Sequence, residues 1–157
     1  MKQENGSPDA PLGSLICFSV YSAEHAFNQL YRGLLGELGL TYPQYLVLTL
    51  LWAKDDRTVS ELGSALRLQS NTLTPLLKRL EALRLVARRR DREDERVVRV
   101  TLTGQGRSLQ ERAAEIPQCV GRATGLSARE LEDAIALLNR LRDSVEMAAN
   151  GDGAAVD

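Results

Sequence analysis

Two thiols and a run of arginines are the groups in this 157-residue chain best suited to chemistry. Cys17 and Cys119 lie 102 positions apart, with no Cys-x-x-Cys pattern and a single histidine, His25. That set cannot complete a structural zinc site. A thiolate attacks a peroxide oxygen. Cys17 falls near the first turn of an expected helix, at the positive end of its dipole, and the nearest downstream cation is Arg32. Ser14, Ser19 and His25 have no spacing that makes a nucleophilic triad. No glycine-rich phosphate loop occurs. Glu93-Asp94-Glu95 reads as a solvated turn rather than a metal site, and no cofactor is expected. The arginines gather elsewhere, at Arg88, Arg89, Arg90, Arg92, Arg96 and Arg99. Residues 54–107 hold 13 Lys/Arg against 8 Asp/Glu, while the rest of the chain holds 7 against 13. A basic middle between acidic flanks suggests one local surface that meets an anion.

The elements that must carry these groups follow from pattern. Residues 1–13 read as a flexible arm, and residues 14–38 as a helix with Ile16, Val20, Phe27, Leu30 and Leu34 among its apolar positions. Gly39 ends it. Thr41-Tyr42-Pro43-Gln44 fits a capping box with proline in the first turn, and the segment behind it is apolar nearly all round. Thr58-Val59-Ser60-Glu61 opens a second, short helix. Gln69-Ser70-Asn71-Thr72 offers polar caps for a third. Its Leu73, Leu76, Leu77, Leu80 and Leu83 make an inward stripe. Its other face shows Asn71, Thr72, Thr74, Pro75, Lys78 and Arg79, and Pro75 breaks a local rule there. Residues 86–90 and 97–102 read as strands joined by a six-residue tip at 91–96. A helix is expected over 103–116, interrupted or ended by Pro117. Ser127-Ala128-Arg129-Glu130 caps a last helix whose Leu131, Ile135, Leu138, Leu141 and Val145 share one face, before a frayed tail at 148–157.

Several classes fall away. No apolar run approaches ~18 residues, so no spanning helix and no membrane partner is expected. The N-terminal residues lack the apolar stretch of a signal peptide. A cytoplasmic protein with reduced thiols is the expectation. The fold class is mainly α, with a small two- or three-stranded wing. Two short helices, a tight turn and a basic hairpin in that order make a winged helix-turn-helix. Small polar side chains on an exposed helix can reach base edges in the major groove. Lys78 and Arg79 can meet phosphates, and a hairpin arginine can enter a narrow minor groove.

The residues carry a resemblance. Val59-Ser60-Glu61-Leu62-Gly63, then Thr72-Leu73-Thr74-Pro75-Leu76-Leu77-Lys78-Arg79-Leu80-Glu81, resemble the helix-turn-helix of the MarR family. Asp94-Glu95-Arg96-Val97-Val98 through Val100-Thr101-Leu102-Thr103 and Gly106 resemble its wing. The similarity covers about residues 14–147. It implies a homodimer on pseudo-palindromic double-stranded operator DNA. The DNA-binding part would span about 41–103, and a dimerisation part about 14–38 and 104–147. The resemblance makes Arg96 the wing-tip reader, oriented by Asp94. Base contacts are expected from Ser70, Asn71, Thr72, Thr74 and Pro75, and phosphate contacts from Lys78 and Arg79.

One branch matches further. Leu15-Ile16-Cys17-Phe18, Tyr31 and Leu40-Thr41-Tyr42-Pro43-Gln44-Tyr45-Leu46 resemble the organic hydroperoxide resistance regulators, which repress transcription until a peroxide oxidises a cysteine. The resemblance implies Cys17 as the sensing thiol, Tyr31 and Tyr42 as its supporting hydroxyls, and Cys119 as a resolving thiol from the partner subunit. Fourteen residues of straight helix separate Cys17 from Tyr31 by about 21 Å. If the two meet, Tyr31 must therefore come from the other subunit, unless the helix breaks. The resulting expectation is a non-enzymatic repressor switched by organic hydroperoxide. Its rivals are a repressor released by a small aromatic ligand, with incidental cysteines, and a thiol peroxidase that turns over.

Overall fold

The computed structural model describes residues 10–151. Most of the expected arm, and residues 152–157 of the expected tail, lie outside the described residues. Within the arm, Ala10–Gly13 forms one helical turn, α1, and the last helix runs to Ala149. The chain divides after Ala114 into two compact units.

The first unit contains α1, α2 (Ile16–Gly36), α3 (Tyr42–Ala53), β1 (Arg57–Thr58), α4 (Val59–Leu66), α5 (Ser70–Ala82), β2 (Val86–Arg90), β3 (Val98–Leu102) and α6 (Gly104–Ala113). Gly39, at φ +67°, ends α2 as the pattern requires. The Leu40 N–H donates to Leu35 O at 3.2 Å and the Gly39 N–H to Gly36 O at 3.1 Å. This double closure satisfies two otherwise orphaned carbonyls, and Leu35 and Leu40 are both buried. At the start of α3 the Thr41 N–H donates to Gln44 Oε1 at 2.8 Å. α3 is then buried along most of its surface, through Tyr45, Val47, Leu48 and Leu51. It packs against α2, α4, α5, β3 and α6. With Leu62, Leu73, Leu77, Leu80, Val86 and Val100 it forms the core.

The sheet has strand order β1-β3-β2, antiparallel throughout. The two-residue β1 completes the wing as a third strand. β3 begins at Val98 rather than Val97. The Val97 N–H donates to Asp94 O at 2.9 Å and Val97 O accepts from the Asp91 N–H at 2.8 Å, which closes the tip. Beyond β3, Thr103 Oγ1 accepts from the Gly106 N–H at 3.0 Å and caps α6. A side chain at Gly106 would place its Cβ 2.0 Å from Leu85 O. The Trp52 Nε1–H donates to Gly106 O at 2.9 Å. Glycine is required there by close approach.

The second unit holds α7 (Ile116–Ala123) and α8 (Ala128–Ala149). The helix expected over 103–116 stops at Ala113, and Pro117 sits in the first turn of a new helix. Proline suits that position because its missing N–H would be unpaired there anyway. Ser127 caps α8 in the expected box, with its N–H donating to Glu130 Oε2 at 2.8 Å. No helix among the described residues is long and apolar enough to cross a membrane.

Candidate nucleic-acid interface and thiol sites

α4, its turn and α5 present the candidate reading face. Thr58 Oγ1 accepts from the Glu61 N–H at 3.1 Å, and Glu61 Oε2 accepts from the Thr58 N–H at 2.6 Å. The exit from α4 needs a left-handed residue, and Arg67 supplies it at φ +55°. The Leu68 N–H then donates to Gly63 O at 2.9 Å. A Cβ on Gly63 would lie 3.1 Å from Leu68 O, so the turn is tight. On α5, Leu73, Leu76, Leu77 and Leu80 are buried. Ser70, Asn71, Thr72, Pro75, Lys78 and Arg79 are exposed, and Thr74 is half-buried. The Gln69 side chain makes no cap, so the expected polar capping of this helix is backbone only. Pro75 has no N–H to donate to the Asn71 carbonyl one turn earlier.

The wing divides its six arginines into two kinds. Four are tied into the fold. Arg88 donates to Glu81 Oε2 from Nε at 3.0 Å and from a terminal nitrogen at 2.6 Å. Arg89 donates to both Asp56 carboxylate oxygens, at 3.1 and 3.0 Å. Arg90 donates to Glu95 O at 2.8 Å. Arg99 donates to Asp91 Oδ2 at 2.5 Å and to Asp56 O at 2.9 Å. The other two sit at the tip. Arg96 is held by Asp94, which accepts from its backbone N–H and from Nε at 3.0 Å each, and from a terminal nitrogen at 3.2 Å. The Arg96 side chain nevertheless remains 90% exposed. Arg92 is exposed, with no ion pair among the described residues.

These pairings set the local electrostatics. Asp91 is held down at about 2, first by the Arg99 guanidinium and then by the Glu93 and Asp94 N–H groups that its other oxygen accepts. Asp94 lies below the ordinary carboxylate range because it accepts from Arg96. Glu81 is lowered by Arg88. Sequence reading named Asp94 and missed Asp56, Glu81 and Asp91. The sequence held no signal for them. Strands at 86–90 and 97–102 would set Arg88 opposite Arg99, whereas the structure makes Arg89 and Arg99 direct cross-strand partners, a like-charge pair that is destabilising unless compensated.

The thiol candidates are distributed differently. Cys17 is the second residue of α2 and is exposed, and Cys119 on α7 is half-buried. Both thiols are free. A terminal nitrogen of Arg122 donates to Cys119 Sγ at 3.3 Å. Tyr31 and Tyr42 come together, with ring centroids 4.1 Å apart and Tyr45 6.0 Å from Tyr31. Burial, and then the neighbouring phenols of Tyr42 and Tyr45, push Tyr31 up to about 12. α2 runs unbroken from Ile16 to Gly36, so Cys17 and Tyr31 of one chain stay about 21 Å apart. Beside Tyr42 lies an open groove of about 610 Å³, lined by His25, Asn28, Arg32 and Thr41 among others. Among the described residues no group of His, Cys, Asp and Glu could hold a metal ion.

Two helices keep apolar faces in the open. On α2, Ile16, Val20 and Phe27 are exposed. On α8 no residue is buried, and Ile135, Leu138, Val145 and Met147 are each more than half exposed.

Known proteins share this arrangement. Residues 29–113 match the family described as transcriptional regulator SarA/Rot. The HTH-type transcriptional regulator TtmR of Methylorubrum extorquens (strain PA1) is 46% identical, over 95% of this chain and 76% of its own. The organic hydroperoxide resistance transcriptional regulator of Bacillus subtilis (strain 168) is 43% identical, over 83% and 86%. Among solved structures, reduced AbfR bound to DNA superposes with a TM-score of 0.74 at 38% identity, covering 86% of this chain and 94% of that one. The disulfide form of AbfR, a protein of Staphylococcus epidermidis, gives 0.63 at 38% identity, over 83% and 92%.

Proposed function

Because this chain belongs to the SarA/Rot family of MarR-type winged-helix transcriptional regulators, we propose that it is a cytoplasmic, homodimeric repressor that releases operator DNA when an organic hydroperoxide oxidises Cys17. In this reading α5 enters the major groove with Ser70, Asn71, Thr72, Thr74 and Pro75 towards the bases. Lys78 and Arg79 meet phosphates, and Arg96, aimed by Asp94, enters the minor groove.

The observation that carries the thiol half is the unbroken α2. The Tyr31–Tyr42 pair and Cys17 stand at opposite ends of one helix, so a pocket combining them is built only from two chains. The exposed apolar faces of α2 and α8 fit such a pairing. In the dimer the tyrosine hydroxyls of one subunit face the other subunit's thiol and leave the pocket largely apolar, which suits an organic hydroperoxide. The Cys17 thiolate attacks the distal peroxide oxygen, and the O–O bond breaks. Cys17 becomes a sulfenic acid, and the alkoxide takes a proton to leave as an alcohol. The partner's Cys119 sulfur then attacks Cys17 sulfur. The S–S bond forms as hydroxide departs and is protonated to water. Disulfide closure needs Cα atoms within ~7 Å; if the reduced dimer holds the thiols farther apart, closure must move helices and would change the spacing of the two recognition helices.

The test is a gel shift on DNA upstream of the protein's own gene, with reduced and then hydroperoxide-treated protein. Wild type should release DNA, and Cys17→Ser should stay bound. A non-reducing gel should show a covalent dimer that Cys119→Ser cannot form. If both proteins stay bound after peroxide, the thiol mechanism falls and release by a small ligand replaces it.

A further inference from the structure

The wing tip is connected to the body of the first unit by a chain of charges. Asp56 precedes β1 in a left-handed conformation, at φ +56°. Its carboxylate receives Arg89. Its carbonyl receives Arg99 at 2.9 Å, and the Arg99 guanidinium lies 3.6 Å from its carboxylate. Arg89 and Arg99 face each other across the strands, and Asp56 compensates a repulsion that would otherwise spread them. Arg99 then reaches along β3 to Asp91 Oδ2. The other oxygen of Asp91 accepts the Glu93 and Asp94 N–H groups. That fixes the backbone which carries Asp94, and Asp94 in turn holds Arg96. Exposure is lowest in the middle of the chain of charges and highest at its end: the side chains of Asp56, Arg99, Asp91, Asp94 and Arg96 are 44%, 31%, 18%, 42% and 90% exposed.

We propose that Arg99 is a positioning residue for DNA binding, which through Asp91 and Asp56 presets the wing so that Arg96 meets the minor groove without first being ordered. Arg99 itself does not touch DNA. Its guanidinium is committed to two partners on opposite sides, a geometry that needs the planar fork of arginine and that a lysine point charge cannot supply. Ordering a free tip on binding costs conformational entropy that a braced tip has already lost on folding. The inference rests on the reading of Arg96 as the wing's DNA contact.

A double-mutant cycle on operator DNA separates the two claims. Arg96→Ala should weaken binding by about tenfold. Arg99→Ala should weaken it by about as much, and the double variant should bind no worse than Arg96→Ala alone. Arg99→Lys keeps the charge and should recover little. Asp91→Asn keeps the acceptor that caps the turn, and it should reproduce most of the Arg99→Ala loss with less disturbance of the fold. Multiplying losses in the double variant, or full recovery with lysine, would make Arg99 a direct electrostatic contact and overturn the proposal. Wild-type affinity in Arg99→Ala would overturn it as well. Wild-type affinity in Arg96→Ala would instead remove the wing reading, and the proposal with it.

Discussion

In the winged part of the first unit, Leu62, Leu73, Leu77 and Leu80 are almost completely withdrawn from solvent, and five of six wing arginines have partners within the same chain. In α8, Ile135, Leu138 and Val145 recur at helical spacing and stay more than half exposed, and α2 leaves Ile16 and Cys17 uncovered. The first region is finished inside one polypeptide. The second has the pattern of a core and no core around it. The proposed function would use both: a DNA reader gains from rigidity, while a sensor shared between chains would let a chemical event in one subunit act on both.

The sharpest way to break this contrast is to damage each side and compare. Leu77→Ala, at a position 1% exposed, should cost about 3 kcal/mol of stability through lost burial and a cavity. A thermal melt measures it, and a loss under 1 kcal/mol would mean the winged part repacks easily. Leu138→Glu lies on an exposed position and should leave that melt nearly unchanged per chain. It should instead convert the dimer to monomer in sedimentation and lower operator affinity on the order of a hundredfold, because one half-site is lost. A stable dimer in Leu138→Glu would remove α8 from the interface.

Smaller effects sharpen the reader. Lys78→Ala should weaken binding to all sequences and flatten the salt dependence by about one unit per contact. An unchanged slope would take Lys78 off the phosphate list. The least visible effect belongs to Tyr31. Its phenol is raised to about 12, so the neutral form is favoured by folding. That contribution is fully present below pH 10 and is lost as pH rises through 12. A phenolate absorbance titration should lose its latest step in Tyr31→Phe, and a late step that persists would assign it to another tyrosine.

Much of this architecture was legible in residue order because its signals are local. Capping boxes at Thr41, Thr58 and Ser127 and the positive-φ glycine at Gly39 act within four or five residues, and each falls where the pattern placed it. The leucine stripe of α5 is likewise a property of helical period. Reading failed where the partner is distant. β1 is two residues long and is a strand only because β3 lies beside it. The helix drawn to residue 116 ends at Ala113, since the sequence around Pro117 marks an interruption without saying that a new helix starts there.

The candidate site divides along the same line. The places of Lys78 and Arg79 on a helix face, and of the arginines on a hairpin, were available from spacing, whereas the choice of Asp94 and Arg96 came from the family resemblance. Which arginines are left for DNA was not. Arg88, Arg89 and Arg99 look as available in the sequence as Arg96, but a carboxylate 7, 33 or 8 positions away claims each of them. Charge composition is a property of the chain, whereas the charge that remains to meet a ligand depends on which opposite charges folding brings within hydrogen-bond reach. The Tyr31–Tyr42 contact likewise needs the turn between α2 and α3 to return one helix alongside the other. Periodicity and capping determine helices through neighbours in sequence, but pairing of charges and rings is decided by neighbours in space.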